Sequence, residues 1–182
     1  MATPEFITKL RSHVGHEHLW LPGVTAIVVR PVPDGAPAWE TPKILLVKRA
    51  DNSEWTPVTG IIDPGEDPDV AAVREVAEET GLDAQVEAFL GTGAVGPVEY
   101  PNGDKASYLD VALRLSVPAD AEPVVGDEES TEVGWFEAMH LPVTNPRFRL
   151  ACADAVAQLR HPQRFVPRIG WHKHGQPGRQ AY

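Results

Sequence analysis

The stretch GIIDPGEDPDVAAVREVAEETGL, Gly60 to Leu82, carries the signals of a single helix and an unusual load of acid. Asp67 suits an N-cap, and Pro68 suits the first helical position, where its missing N–H costs nothing. Gly81 suits a left-handed cap at the other end. At about 100° per residue, Val70, Val73 and Ala77 share one face, predicted to meet the core, while Glu75, Glu78 and Glu79 fall opposite them. Arg74 lies at the margin, one turn before Glu78, where it can pair with and orient that carboxylate. Like charges one turn apart cost a few tenths of a kcal/mol each, so the cluster calls for either plain solvation or a bound cation. The lead-in favours the cation. Gly60 and Gly65 flank IIDP in a loop whose backbone can approach a ligand closely, and Glu66 adds a fourth carboxylate. Such hard oxygen donors suit Mg²⁺ or Mn²⁺, which keeps several waters and shares its remaining positions with phosphate oxygens.

Outward from this helix, the chain alternates strand-like and helical runs without an internal repeat. Pro4 to about His13 reads as a short amphipathic helix. VTAIVVRPV and KILLVKRA read as strands of a hairpin with a long Pro-rich connection, PVPDGAPAWETP. DAQVEAFLGTGAVG, KASYLDVALRLSV and TEVGWFEA continue the β character. A last helix is expected from about Arg147 to Leu159, with Leu150, Ala153, Val156 and Ala157 on one face. Strands interleaved with long helices predict an α/β domain of layered form, helices covering a central mixed sheet.

Composition excludes several function classes. The 182 residues are 42% hydrophobic and 23% charged, with a formal net charge of −10. That length and balance fit one globular domain over residues 1–182, with residues 1–20 as an N-terminal extension and 161–182 as a C-terminal tail. The net acidity opposes nucleic-acid binding. No apolar run reaches the roughly 20 residues of a membrane helix, and the N-terminus lacks a signal-peptide pattern, so a cytoplasmic protein without membrane partners is expected. The lone Cys152 is expected to pack in the core. His13, His16, His18, His172 and His174 lack the spacing of a zinc pair. After His161 come Arg164, Arg168, Lys173 and Arg179 with no acidic residue, a basic tail that could dock on the acidic body of its own chain or on a second subunit, leaving a homodimer open.

The pattern G60-x5-E66-x7-R74-E75-V76-x-E78-E79-x-G81-L82 resembles the signature of the Nudix hydrolases at every specified position. LLVKRADNSEW before it and EVGWFEAMHLP after it are similar to flanking strands of that family. The resemblance implies an α/β/α sandwich around a mixed sheet. It also implies that Glu75, Glu78 and Glu79 bind the metal, with Arg74 as the orienting partner, Glu66 close by and Gly60 marking a backbone carbonyl ligand. The implied cofactor is Mg²⁺, with Mn²⁺ able to substitute. The implied reaction is hydrolysis of a phosphoanhydride bond in a nucleoside diphosphate linked to another moiety, so the partner is a nucleotide-type small molecule.

The base that deprotonates water is open between this helix and the downstream GDEESTEVGW, where Glu128, Glu129 and Glu132 are candidates or ordinary loop acids. Arg49 resembles a phosphate-binding arginine, or is a plain strand-end charge. Trp55, Tyr100 and Tyr108 can stack on a nucleobase or simply pack. Many family members have Pro-Gly-Gly ahead of the motif, whereas this chain has Pro57-Val58-Thr59-Gly60, which bears on substrate placement. Pro97, fifteenth after Leu82, resembles the marker that accompanies ADP-ribose cleavage; Tyr100, eighteenth, resembles that for dinucleoside polyphosphates. ADP-ribose or a nucleotide sugar is preferred, with nucleoside triphosphates and dinucleoside polyphosphates behind. The reading from a different class is a nucleotide sensor or interaction module that keeps the fold with little turnover.

Overall fold

The computed structural model describes residues 3–171. Its elements are α1 (Glu5–Val14), β1 (Leu19–Arg30), β2 (Lys43–Arg49), β3 (Trp55–Thr56), β4 (Val58–Ile61), α2 (Pro68–Thr80), β5 (Gln85–Glu99), β6 (Lys105–Ser116), β7 (Ser130–Glu137), α3 (Pro146–Arg160) and β8 (Arg168–Ile169). The strands form one mixed sheet of eight. Its main path runs β3-β2-β1-β6-β5-β8, with β4 on β1 and β7 on β2. β1 lies parallel to β6 over ten residue pairs, from Leu19↔Ala106 to Val28↔Leu115.

Alternation along these strands separates two cores. Val24, Ala26 and Val28 of β1, with Leu45 and Val47 of β2, pack on the side of α2. The intervening Ile27, Val29, Ile44 and Leu46 pack on the side of α3. Apart from Thr25, the runs VTAIVV and ILLV are apolar throughout because both sheet faces are covered, which is the layered α/β arrangement the element order predicts. The expected β1–β2 hairpin is slight, with Val29↔Ile44 and Arg30↔Lys43 as its paired positions. Further back, β1 pairs with β4 from Gly23↔Ile61 to Ala26↔Val58. One strand thus has two successive partners on the same edge, and the sheet splits where they part.

The helices turn partly as expected, Val73 of α2 and Val156 of α3 packing against the core, but the buried face of each is rotated from the expected one. In α2, Ala71, Ala72, Glu75, Val76, Glu79 and Thr80 are buried, whereas Val70 is 55% exposed and Ala77 is exposed. The helix is rotated so that two carboxylates face inward, beside a small-residue stripe that lets it approach the sheet. In α3, Phe148, Ala151, Cys152 and Ala155 are buried, and Ala153 and Ala157 are exposed. The larger Phe148 sets that register. Cys152 lies in the core as expected, and burial pushes its thiol up to about 12.

Part of the basic tail is tied to its own chain. β8 runs parallel to β5 through Gly91↔Arg168 and Thr92↔Ile169, and Arg168 grips Asp154 of α3 with two hydrogen bonds of 2.8 and 2.9 Å. Lys173, Arg179, His172 and His174 lie outside the described residues. Among the described residues no helix is long and apolar enough to cross a membrane.

Candidate active site

The boundary signals of α2 place its carboxylates. Asp67 takes the N-cap position with extended backbone, although its side chain makes no capping bond. Gly81 closes the helix in the left-handed conformation at φ 67°, its N–H donating to Ala77 O. Between them, Glu75 is 2% exposed and Glu79 6%. Burial, which disfavours the ionised form, raises Glu75 to about 7 and Glu79 to about 8, and neighbouring carboxylates add to both shifts. Glu78 stays largely in solvent with its carboxylate 3.5 Å from Arg74.

Gly60 is required by this packing. A Cβ on it would lie 2.0 Å from Glu75 Cδ and Oε1, so the carboxylate occupies the space that any other residue would fill. The neighbouring Thr59 sits in β4 opposite Thr25. Its backbone there is ordinary strand, since Ser53 is the one non-glycine with positive φ among the described residues. The threonine in place of the family's glycine therefore introduces no backbone strain.

Arg74 has a larger role than pairing with Glu78. Its Nε and Nη2 each donate to one oxygen of Glu66 at 2.8 Å, Nη1 donates to Glu75 Oε1 at 2.8 Å, and Nη2 also reaches Ile61 O at 3.2 Å. The two-pronged bond uses the planar fork of the guanidinium. Glu66 also accepts from Asp63 N–H at 3.0 Å, and these contacts hold its carboxyl below its ordinary value. Glu66, expected among the metal's carboxylates, has both oxygens on Arg74 and one also on the Asp63 N–H, and so clamps the loop to α2.

The downstream loop is fastened to the end of α2. Val124 N–H donates to Thr80 O and Gly126 N–H to Glu79 O, both at 2.9 Å, and a Cβ on Gly126 would lie 2.0 Å from Glu78 O. That docking brings Asp127 and Glu129 near enough to raise Glu79 electrostatically, and Glu129 also acts on Glu75. Ala50 N–H donates to Glu129 O at 2.7 Å, joining the loop to the end of β2. Glu128 and Glu129 line the cleft. Glu132 does not: it lies on β7, bonded to Lys48 Nζ at 2.7 Å. Asp127 escaped the sequence reading because its neighbours Glu128 and Glu129 are equally plausible acids; only docking on α2 distinguishes it.

Arg49 ends β2 with Nε and Nη2 on the two oxygens of Asp51, at 3.0 and 2.8 Å, and it lines the cleft within the field of Glu79 and Glu129. Of the two roles open to Trp55, stacking or packing, its contacts are those of packing. Its ring packs edge-on against Phe136 with centroids 4.7 Å apart, in the core beneath α3 and outside the cleft lining. Tyr100 does face the cleft, its hydroxyl 2.5 Å from that of Tyr108. Pro97 is not part of the lining.

The cleft has a volume of about 770 Å³ and opens where β4 and β2 diverge from β1. Its floor carries a buried polar group that motif reading missed. Asp110 of β6 accepts from Thr25 Oγ1 at 2.7 Å and from Arg147 Nη1 at 2.8 Å, and Arg147 Nη1 also reaches Thr25 Oγ1 at 3.1 Å. An acid inside the apolar run SYLDVALRL was the available signal for Asp110; Arg147, beside a helix cap far along the chain, gave none.

Among the described residues no three acidic, histidine or cysteine side chains converge to metal-ligand distance. The donor set nonetheless fits a hard divalent cation: two buried carboxylates whose pKa values are raised by burial and by neighbouring carboxylates, the exposed carboxylate of Glu78 on the same helix, and Gly60 packed directly against Glu75.

The family model for the NUDIX domain matches residues 23–156. A bis(5′-nucleosyl)-tetraphosphatase of Rattus norvegicus is 33% identical over 110 residues, covering 54% of this chain and 74% of that protein. A Bacillus subtilis (strain 168) protein provisionally assigned as an 8-oxo-dGTP diphosphatase is 50% identical over 52 residues, 29% of this chain; the chain spans 35% of that relative's length. A solved Nudix hydrolase from Nitrosomonas europaea shares the fold with a TM-score of 0.58 at 22% identity, over 84% of this chain and 80% of that one. A UDP-X diphosphatase structure likewise has a TM-score of 0.58 at 17% identity, over 93% and 75% of the respective chains.

Proposed function

This chain belongs to the Nudix family, and from that premise we propose that it hydrolyses a phosphoanhydride bond in a nucleoside diphosphate linked to another moiety, with ADP-ribose or a nucleotide sugar preferred. The observation that carries this reading is the pair of buried carboxylates, Glu75 and Glu79: Glu75 lines the cleft with Arg49, Glu128 and Glu129, and Glu79 lies behind it within the field of Glu75, Glu129 and Arg49. Carboxylates buried on the inner face of a helix, with a glycine opposite to admit one of them, have no packing explanation.

Glu75, Glu78, Glu79 and the Gly60 carbonyl would hold the cation. When bound, Mg²⁺ or Mn²⁺ supplies neutralisation of the diphosphate oxygens and lowers the pKa of a water. Arg74, fixed by Glu66, holds Glu75 in one orientation. Arg49 offers positive charge at the same end of the cleft, where it balances substrate anion once Asp51 yields part of its bond. Glu129 is the base that best suits proton removal from water: it lines the cleft and lies within the field of both Glu75 and Glu79. A cleft of about 770 Å³ exceeds what a diphosphate needs and matches a ligand with organic groups attached. A second reading, cleavage of dinucleoside polyphosphates, is favoured by Tyr100 in the cleft wall and by the similarity to the rat tetraphosphatase.

The test is turnover of the purified protein with Mg²⁺, then Mn²⁺, on ADP-ribose, nucleotide sugars, dinucleoside polyphosphates and nucleoside triphosphates. Turnover of a diphosphate-linked substrate, reduced by at least ~10²-fold in Glu79→Gln, is expected. Preference for triphosphates would overturn the substrate class, and silence with tight nucleotide binding would identify a sensor.

A further inference from the structure

The cleft extends well beyond the carboxylates, and its far wall is built by an element outside the family match. Helix α1, residues Glu5–Val14, precedes the matched residues 23–156. Its Ile7 is 5% exposed and packs with Leu21 and Ala106, against which Tyr100 and Tyr108 also lie. Ile7, Arg11 and both tyrosines line the cleft.

The helix is latched in place. Arg11 donates to the carbonyls of Gly15, Glu17 and Lys105, at 3.1, 2.5 and 2.8 Å, and its Nε lies 3.5 Å from Asp104. The contacts with Lys105 and Asp104 fasten α1 to the turn between β5 and β6, and those with Gly15 and Glu17 brace the end of the helix.

Resting on the pyrophosphohydrolase reading, we propose that α1 is the specificity wall of the cleft and that the slot between Ile7 and the Tyr100–Tyr108 pair seats the nucleobase of the substrate. Three features favour a base over the other parts of such a molecule. The tyrosine hydroxyls bond each other, which leaves this end a largely apolar wall suited to a flat, uncharged group. A phosphate would meet the Asp104 carboxylate at the rim, where Arg11 already spends its charge on that carboxylate and on three backbone carbonyls. A sugar needs a partner for each hydroxyl, and Ile7, Leu21 and Ala106 supply none. The polar rim, Asn102 and Asp104, can meet the hydrogen-bonding edge of a base.

Equilibrium binding separates this claim from catalysis. Calorimetric titration with AMP, GMP, CMP and UMP, against ribose 5-phosphate as the base-free probe, should show at least one mononucleotide binding tenfold or more tighter than the sugar phosphate. In wild-type protein with labelled methyl groups, the Ile7 methyls should give intermolecular NOEs to base protons of that mononucleotide. Ile7→Phe, which fills the slot, should abolish the nucleotide's advantage and leave ribose 5-phosphate binding within twofold. No mononucleotide preference, NOEs confined to ribose protons, or a folded Ile7→Phe variant with unchanged nucleotide affinity would each overturn the proposal. If Ile7→Phe does not fold, the wild-type NOEs decide. A catalytically silent protein that meets these results keeps the slot and loses the activity; an active one that fails them does the reverse.

Discussion

At the scale of the residue, the decisive feature is the burial of charge. Glu75 and Glu79 are raised to about 7 and about 8 from an ordinary 4.5, burial being the largest cause in each. The folded protein therefore keeps protons that the unfolded chain has released, and the stability linked to them is fully present below about pH 4.5 and lost as pH rises through 7 and 8. In EDTA the melting temperature should fall as pH rises from 5 to 8.5. Glu79→Gln, which cannot ionise, should flatten that fall, and Mg²⁺ should raise the melting temperature more at pH 8 than at pH 6, because its ligands must be deprotonated. Thermal melts on both proteins, with and without metal, check this; a wild-type profile already flat in EDTA would contradict the burial account. Sequence spacing was enough to name these glutamates. It could not say that they face inward, because hydrophobic periodicity assigns the inner face to Val70, Val73 and Ala77, whereas in the folded helix only Val73 of these packs on the core and Ala71 and Ala72 make the close approach to the sheet.

At the scale of the element, α2 is fixed at both ends. Glu66 and Arg74 clamp its start to the preceding loop, and residues 124–126 dock on its end. Gly126→Ala places a methyl 2.0 Å from Glu78 O, a backbone atom with little room to give. The loop should lift, losing its two bonds to Thr80 and Glu79 and withdrawing Asp127 and Glu129. A destabilisation of about 1–3 kcal/mol is expected. Turnover should fall at least ~10-fold if Glu129 is the base, since misplacement by about an ångström costs that or more. Urea denaturation and steady-state kinetics read the two effects separately. Unchanged kinetics in a destabilised variant would remove the loop from the chemistry. None of this docking was legible in the sequence: the loop's acids were visible, but its contact with α2 joins residues some 45 positions apart, which no local pattern encodes.

At the scale of the whole molecule, part of the basic tail is a component of the fold. Phe165 and Trp171 pack on the core beneath α3, β8 extends the sheet, and Arg168 pairs with Asp154. Truncation after Pro162 removes all of these and should lower the melting temperature by at least about 5 °C, at roughly 2–4 °C per kcal/mol for a domain of this size. An unchanged melt would show the tail to be dispensable. The sequence by itself determined the family signature, the bounds of α2, the acids on it and the alternation of strands and helices, because each is written in short-range spacing of 2 or 3.6 residues and in the backbone preferences of Pro and Gly. Only the tertiary structure decided which face of each helix is buried, that Glu66 clamps Arg74, that Trp55 packs in the core, and that Asp110, Arg147 and α1 meet in one cleft. Those outcomes depend on how close α2 and α3 approach the sheet and on where β1 changes partners, and both are set by packing among residues far apart in the chain.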